Sequence, residues 1–582
     1  MLDKLSLRRP PGSKGPDVAP YELCASPWWV LWAVGLSSAW LLPSFSSLWP
    51  SFDLELMAVL CCAALAGALL LRGGASAWSV PPAAWVAAAL ACVPLLQWAM
   101  GSLNFFGDAW MAFLYLFGFA LAIATGARAR RHGQFVQALF LAIAIAAGLS
   151  VAIALKQWLG LEGLPVWTRE APPGARPFAN LGQPNNLATL VCWGLIAVWH
   201  AYLGRRIGGA VALMAAAYLL LGLSLTQSRT GWLVVVAMAI FCIVLRRPLE
   251  TGRYWRGLLT LLIFFVGCVL TMDALNRALV ADATTTLQSR LQAGYRLHHW
   301  AAMLEAIRQR PWAGWGWSQV SVAQQAVVVD LPALPELLGY SHNLVLDLLV
   351  WNGVPIGALV TVLALGWLIA TGLRLRGHED ALTYTAIWAF VLHCLLEYPH
   401  AYAYFLLPVG LMIGAIGAIG LRDETSLFPK LPPIVVAGVL AVASALTAWM
   451  TVEYQEARAS FTVLRFEMAR IGSSRNSEPP KLVMLTQLQA LATTDRMKIH
   501  AAASQADMTL STRTAERYPA ERTLMQHAAL AAGLGQTQAA RLSLVRLCKL
   551  YPKDRCIFAA AIWKKWGDTE YPWVRSVEFP PL

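Results

Sequence analysis

Long stretches of mostly uncharged residues, separated by short polar connectors, organise the chain from residue 27 to residue 452. A helix crosses the roughly 30 Å hydrocarbon core of a bilayer with about 20 such residues. On that scale thirteen segments are predicted to span: 27–43, 54–71, 82–100, 108–125, 134–155, 185–203, 207–224, 231–245, 257–273, 353–373, 381–396, 403–420 and 433–452. Three segments are too long or too polar to be simple connectors: 157–184, 274–352 and everything after 452. The last of these carries apolar residues at three and four spacing, the period of amphipathic helices. From Arg522 to Tyr551 it reads as a helical hairpin turning around Gly533 to Thr537, similar to one tetratricopeptide repeat. The predicted organisation is a short N-terminal segment 1–26, a transmembrane region 27–452 with large loops at 157–184 and 274–352, and a helical domain 453–582.

Charge gives this pattern an orientation. With the N-terminus in the cytoplasm, the inside loops hold Arg72, Arg128, Arg130, Arg131, Arg205, Arg206, Arg246, Arg247, Arg253, Arg256 and Arg374, whereas the short outside loops 44–53, 101–107 and 397–402 contain neither Lys nor Arg. That asymmetry is what the positive-inside rule expects, and an odd number of spans puts the C-terminal domain outside.

Composition agrees: 58% of the 582 residues are apolar and 13% charged, against about 45–50% and about 25% in soluble proteins. A net charge of +13 would suggest nucleic acid in a soluble chain. Here most of the bases sit between apolar runs and read as topology determinants, so no nucleic-acid partner is expected. The ten cysteines show no CxxC spacing, which speaks against a metal or redox framework. Cys548 and Cys556 would pair in an oxidising compartment and stay reduced otherwise.

Polar groups at the outer face are the candidates for chemistry, because lipid makes each of them costly unless it is paired or used. Arg229 occupies a tight outer turn, Gln-Ser-Arg-Thr-Gly-Trp. Arg296 opens Arg-Leu-His-His-Trp, the start of an expected amphipathic helix; with Arg176 and Arg290 it could converge on a polyanion, since guanidinium matches phosphate oxygens in pairs. His342, in Ser-His-Asn-Leu, precedes a helix entering the membrane and could take a proton from a hydroxyl. Glu397, Tyr398 and His400 share one outer turn, and Gln183, Asn185 and Asn186 offer uncharged donors where a span begins. His298 and His299 are adjacent and do not share a helix face, so no metal site is expected.

Five of these motifs, in order over residues 170–420, resemble the O-antigen ligase superfamily: Asn-Leu-Gly-Gln-Pro-Asn-Asn, Gln-Ser-Arg-Thr-Gly-Trp, Arg-Leu-His-His-Trp with Pro-Trp-Ala-Gly-Trp-Gly, Ser-His-Asn-Leu, and Leu-Glu-Tyr-Pro-His. They are most similar to the bacterial protein O-oligosaccharyltransferases, the PglL-type pilin glycosylation ligases. Asn186 stands where many relatives have His. The resemblance implies an all-α, GT-C-like polytopic membrane fold with a periplasmic helical domain in the bacterial inner membrane. It implies transfer of a glycan from undecaprenyl diphosphate to a Ser/Thr hydroxyl of a protein such as pilin, at the periplasmic face, with no cofactor and no metal. It assigns catalytic roles to His342, Gln183 and Tyr398 and phosphate contacts to Arg229 and Arg296. Arg176, Arg290, Asn185, Asn186 and Glu397 are expected to line the donor site. Two other readings remain open: a lipopolysaccharide ligase or polysaccharide polymerase with a lipid-linked sugar acceptor, and a flippase for the same lipid.

Overall fold

Each of the thirteen apolar segments overlaps a helix among the described residues. The computed structural model describes residues 26–279, 296–417 and 430–581, apart from 47, 74–75, 164–165, 173, 376, 470, 472–476 and 502. The predicted N-terminal segment up to residue 25, and Arg290, lie outside the described residues. In chain order the membrane region contains α1 (Pro27–Leu41), α2 (Phe52–Arg72), α3 (Pro82–Ala99), α4 (Phe106–Ala129), α5 (Phe135–Trp158), α6 (Pro184–Leu203), α7 (Gly209–Leu225), α8 (Arg229–Val244) and α9 (Thr251–Leu279). Then follow α10 (Arg296–Gln309), α11 (Val320–Val327), α12 (Leu344–Gly372), α13 (Gly377–Cys394), α14 (Ala403–Gly417) and α15 (Pro433–Met468). Among the described residues, α2, α3, α4, α5, α6, α9, α12 and α15 are long and apolar enough to cross a membrane, while α7, α8 and α14 are apolar but shorter. Proline opens α1, α3, α6 and α15, where its fixed φ suits a helix and its missing N–H costs nothing.

Close backbone approach holds the bundle together, because lipid supplies no hydrophobic drive between helices. A Cβ on Gly126 of α4 would come within 2.1 Å of the Leu411 carbonyl on α14, and one on Gly414 within 1.9 Å of the Ile123 carbonyl. Trp193 fills the centre, edge-on to Trp40 at 6.5 Å and donating from Nε1 to the Ala386 carbonyl at 2.9 Å.

Helix α12 is broken at Gly353, whose φ is 73°. Two residues later Pro355 offers no N–H to the ladder. The Pro-Trp-Ala-Gly-Trp-Gly segment repairs the break: Trp315 N and Gly316 N donate to the carbonyls of Val350 and Trp351 at 2.7 and 3.1 Å, and Val354 N donates to the Pro311 carbonyl at 2.7 Å. Irregular backbone at this depth is tolerated because protein, not lipid, satisfies it.

Connectors predicted on one side contact one another. Strands β1 (Trp78–Ser79) and β2 (Lys430–Leu431) pair antiparallel, and Arg130 bridges to Glu379 and Asp380 at 2.8 and 3.0 Å. On the other side the C-terminal helices α16 (Thr486–Arg496), α17 (Gln505–Arg517), α18 (Glu521–Gly533), α19 (Thr537–Leu550) and α20 (Lys553–Asp568) rest on the loops. Arg517 meets Asp108 at 2.8 Å, Glu516 accepts from Asn104 at 2.9 Å, and Lys549 donates to the Leu331 carbonyl at 2.6 Å.

α18 and α19 form the expected hairpin over a core that includes Leu530, Leu544, Leu547 and Trp563. Cys548 and Cys556 are joined in a disulfide. The sequence boundary at 453 is no hinge, since α15 runs through it unbroken. Glu453 itself is buried there, accepting from the backbone N–H groups of Val483, Met484 and Leu485 at 2.9, 2.8 and 3.0 Å.

Candidate active site

Four chain segments meet on the side of the C-terminal helices. The first turn of α6 supplies Asn185, whose Nδ2 donates to Glu397 Oε1 at 2.8 Å while its Oδ1 accepts from Ser228 Oγ at 2.7 Å. Ser228 also caps α8, its Oγ accepting from Gly231 N at 3.0 Å. One hydroxyl, used as donor and as acceptor, thus ties the start of α6 to the start of α8. Arg229 is the first residue of α8. Arg176, from the 157–184 loop, reaches the same turn, with Nη1 3.5 Å from the Gln227 carbonyl. That loop is organised by Gln157, whose Oε1 accepts from Phe178 N and Ala179 N and whose Nε2 donates to the Arg169 and Ala179 carbonyls.

His342 precedes the cap of α12. Asn343 accepts from Val345 N and Leu346 N at 3.0 and 3.2 Å, and its amide donates to the Leu395 carbonyl at 3.2 Å. His342 has a φ of 58°, a left-handed conformation uncommon outside glycine that persists where the surroundings over-determine it. Those surroundings are present at the preceding residue. Ser341 N donates to Asp347 Oδ1 at 2.7 Å, and the Ser341 carbonyl accepts from Trp300 of α10 at 3.0 Å.

Glu397 is the common partner. It follows α13 and is 3% exposed. Its Oε2 lies 2.7 Å from His342 Nδ1, and its Oε1 accepts from Arg296 Nη2 as well as from Asn185. Burial raises its carboxyl pKa, but the hydrogen bond from His342 and the charge of Arg296 outweigh this and hold it below the ordinary value. An ionised carboxylate only accepts, so Nδ1 of His342 carries the proton and Nε2 is left as the basic nitrogen.

Tyr398 meets His342 edge to face at 5.0 Å and stacks on Tyr340 at 4.9 Å; burial raises its phenol pKa. His400, in the same turn, sits 3.5 Å from Asp347 and is pushed down to about 3 by burial, so its ring is neutral.

The structure thus joins Asn185, Arg296, His342, Glu397 and Tyr398, and brings Arg176 to the Gln227–Arg229 turn. Gln183 is half-buried just ahead of α6. Asn186, one residue and about 100° around the helix from Asn185, turns inward instead and donates to Tyr404 Oη at 3.0 Å. Ser228, Tyr340 and Asn343 were not singled out from the sequence. A helix-capping pattern identifies Ser228 and Asn343, whereas nothing local marks Tyr340. Among the described residues no group of three or more His, Cys, Asp or Glu side chains is placed to hold a metal ion.

Arg296, His342, Glu397 and Tyr398 lie within regions shared with known proteins. Residues 214–362 match the O-antigen ligase family, and residues 382–564 match the C-terminal region of the virulence factor membrane-bound polymerases. The chain is 31% identical over 481 residues to a general O-oligosaccharyltransferase of Acinetobacter baylyi, covering 79% of this chain and 81% of that protein. It is 27% identical over 402 residues to the ComP-specific O-oligosaccharyltransferase of the same organism, covering 68% and 71%. An all-α membrane architecture, the ordered motifs and relatives matched over most of their length agree: the chain belongs to the O-oligosaccharyltransferases of the O-antigen ligase superfamily and is a glycosyltransferase.

Proposed function

We propose that the chain transfers an oligosaccharide en bloc from undecaprenyl diphosphate to Ser/Thr hydroxyls of periplasmic proteins such as pilin. The observation that carries this reading is Glu397, which links a histidine base to an arginine and to the helix starts bearing Asn185 and Arg229. Glu397 holds the His342 ring with Nε2 available to the acceptor hydroxyl. As the hydroxyl oxygen attacks the anomeric carbon, its proton passes to Nε2. The bond from that carbon to the phosphate oxygen breaks, and undecaprenyl diphosphate leaves with the electron pair. Arg296 keeps donors beyond the one given to Glu397, and with Arg229 it balances the charge on the diphosphate. Gln183, Arg176 and Tyr398 orient donor or acceptor, Arg290 adds positive charge, and Asn186 supports the wall through Tyr404.

In this reading thirteen helices span the inner membrane, with the N-terminus cytoplasmic. The site and residues 453–582, a tetratricopeptide-like domain, are periplasmic. The Cys548–Cys556 disulfide supports that orientation, because disulfides persist in the periplasm and are rare in the cytosol.

Expression with a lipid-linked glycan and a pilin acceptor tests the assignment. Glycosylated pilin with native protein, and none with His342→Ala inserted at normal levels, is the expected result. Glycan on the lipid A core with unmodified pilin would instead establish a lipid-linked acceptor. Full activity of His342→Ala would favour a flippase, a reading that also requires a polar path through the bilayer.

A further inference from the structure

The half of the membrane region remote from His342 holds a cavity of about 740 Å³ between α6, α7, α8 and α9, within the roughly 300–1,000 Å³ of small-molecule sites. Ile196, Trp199, Ala216, Met238 and Phe265 form its walls, and Arg246, Arg253 and Arg256 line it at the α8–α9 turn. Trp199 lies fourteen residues beyond Asn185 on α6, about 21 Å along the axis at 1.5 Å per residue. Cavity and catalytic cluster therefore occupy opposite ends of the same helices, and the chamber is not part of the site around His342.

Its lining has two unlike halves. The walls are aliphatic and aromatic, whereas the turn presents three guanidinium groups within eleven residues of sequence. Arg253 lies over the Tyr254 ring at 5.4 Å and Arg256 over Trp255 at 5.6 Å, while Tyr254 packs against Trp199 and Tyr202 at 5.6 and 5.0 Å. Aromatic rings beside basic residues mark the level of lipid head groups.

One class of molecule answers both halves of the lining: its phosphate suits the arginines and its acyl chains the walls. We infer that this cavity holds an anionic glycerophospholipid from the leaflet opposite the catalytic cluster, with its phosphate on Arg246, Arg253 and Arg256. A neutral zwitterionic lipid would leave the excess positive charge unbalanced, and basic pockets between membrane helices are recurrent sites for anionic head groups. The inference rests on the spanning arrangement proposed above and not on the transfer reaction.

The test uses the full chain in nanodiscs of mixed phosphatidylcholine and phosphatidylglycerol, released for native mass spectrometry. Native protein should retain phosphatidylglycerol about tenfold above its share of the disc, equivalent to about 1.4 kcal/mol. Arg246→Gln, Arg253→Gln and Arg256→Gln together should remove that preference. Because these changes also alter topology signals, Ala239→Trp provides a second variant that fills the cavity with every charge kept; it should lose the bound lipid altogether. Equal retention of the two lipids by native protein, or undiminished retention by Ala239→Trp, overturns the inference. So does a polyprenyl diphosphate as the species carried from the native membrane. Retention is read without donor or acceptor, so a failure of transfer and a failure of lipid binding are separately visible.

Discussion

Helix α13 has a carboxylate cluster at each end, assembled from the same residue types. At its start Glu379 and Asp380 face Arg130 at 2.8 and 3.0 Å, with His200 3.8 Å from Glu379. Just past its end Glu397 faces His342, Arg296 and Asn185. The first cluster sits where a helix favours negative charge, in the opening turn, and needs a single forked arginine to join two connectors. The second places a carboxylate where the helix dipole opposes it, with donors drawn from residues 185, 296 and 342. An unfavourable position held by distant segments, beside a histidine with positive φ, is the kind of local conflict that functional sites retain. In the proposed mechanism the first pairing serves assembly, and the second aims a base.

On that reading, substitutions at the two ends should fail differently. His342→Ala is expected to have the largest effect, a loss of transfer of about 10²–10⁴-fold at unchanged membrane level, measured by glycosylated acceptor per folded enzyme. Glu397→Gln should follow at about 10²-fold, because an amide no longer fixes Nδ1–H as donor; a near-native rate would remove the positioning role and with it the contrast between the ends. Arg229→Lys keeps the charge but loses the planar fork, so about tenfold weaker donor use, seen chiefly in KM, is expected. At the other end Arg130→Ala should cost about 1–3 kcal/mol of stability while turnover per folded molecule stays native. A turnover defect there would erase the distinction.

Acid should also separate the two variants at residue 397. Glu397 is held below the ordinary carboxylate value, so its stabilisation is complete above that value and is lost only as pH falls through the depressed one. Melting temperatures of native protein and Glu397→Gln should therefore differ at neutral pH and converge only in stronger acid. Convergence already at neutral pH would show that the carboxylate contributes nothing to the fold.

The cluster was partly legible in the sequence. His342, Arg296 and Asn185 were recognisable as polar groups at a predicted outer face, and Glu397 as one of several polar residues in a short turn. What could not be read was that Glu397 is the hub. Its partners lie 55, 101 and 212 residues away, and no local pattern encodes such distances. Asn185 and Asn186 illustrate the same limit. Identical side chains next to each other serve different surroundings, because only the tertiary placement of Tyr404 beside the first turn of α6 decides which one meets it.

By itself the sequence determined the helices, since lipid requires every backbone N–H and C=O to be satisfied within its own segment, and apolar length records that demand directly. It also determined which connectors share a side, through the placement of arginine. The tertiary structure alone decided that Pro311 to Gly316 repairs the break in α12, that Glu453 of α15 accepts from the backbone at residues 483–485, and that one carboxylate gathers four segments. Those outcomes depend on hydrogen bonds closed between residues far apart in the chain, and their geometry exists only once the helices have packed.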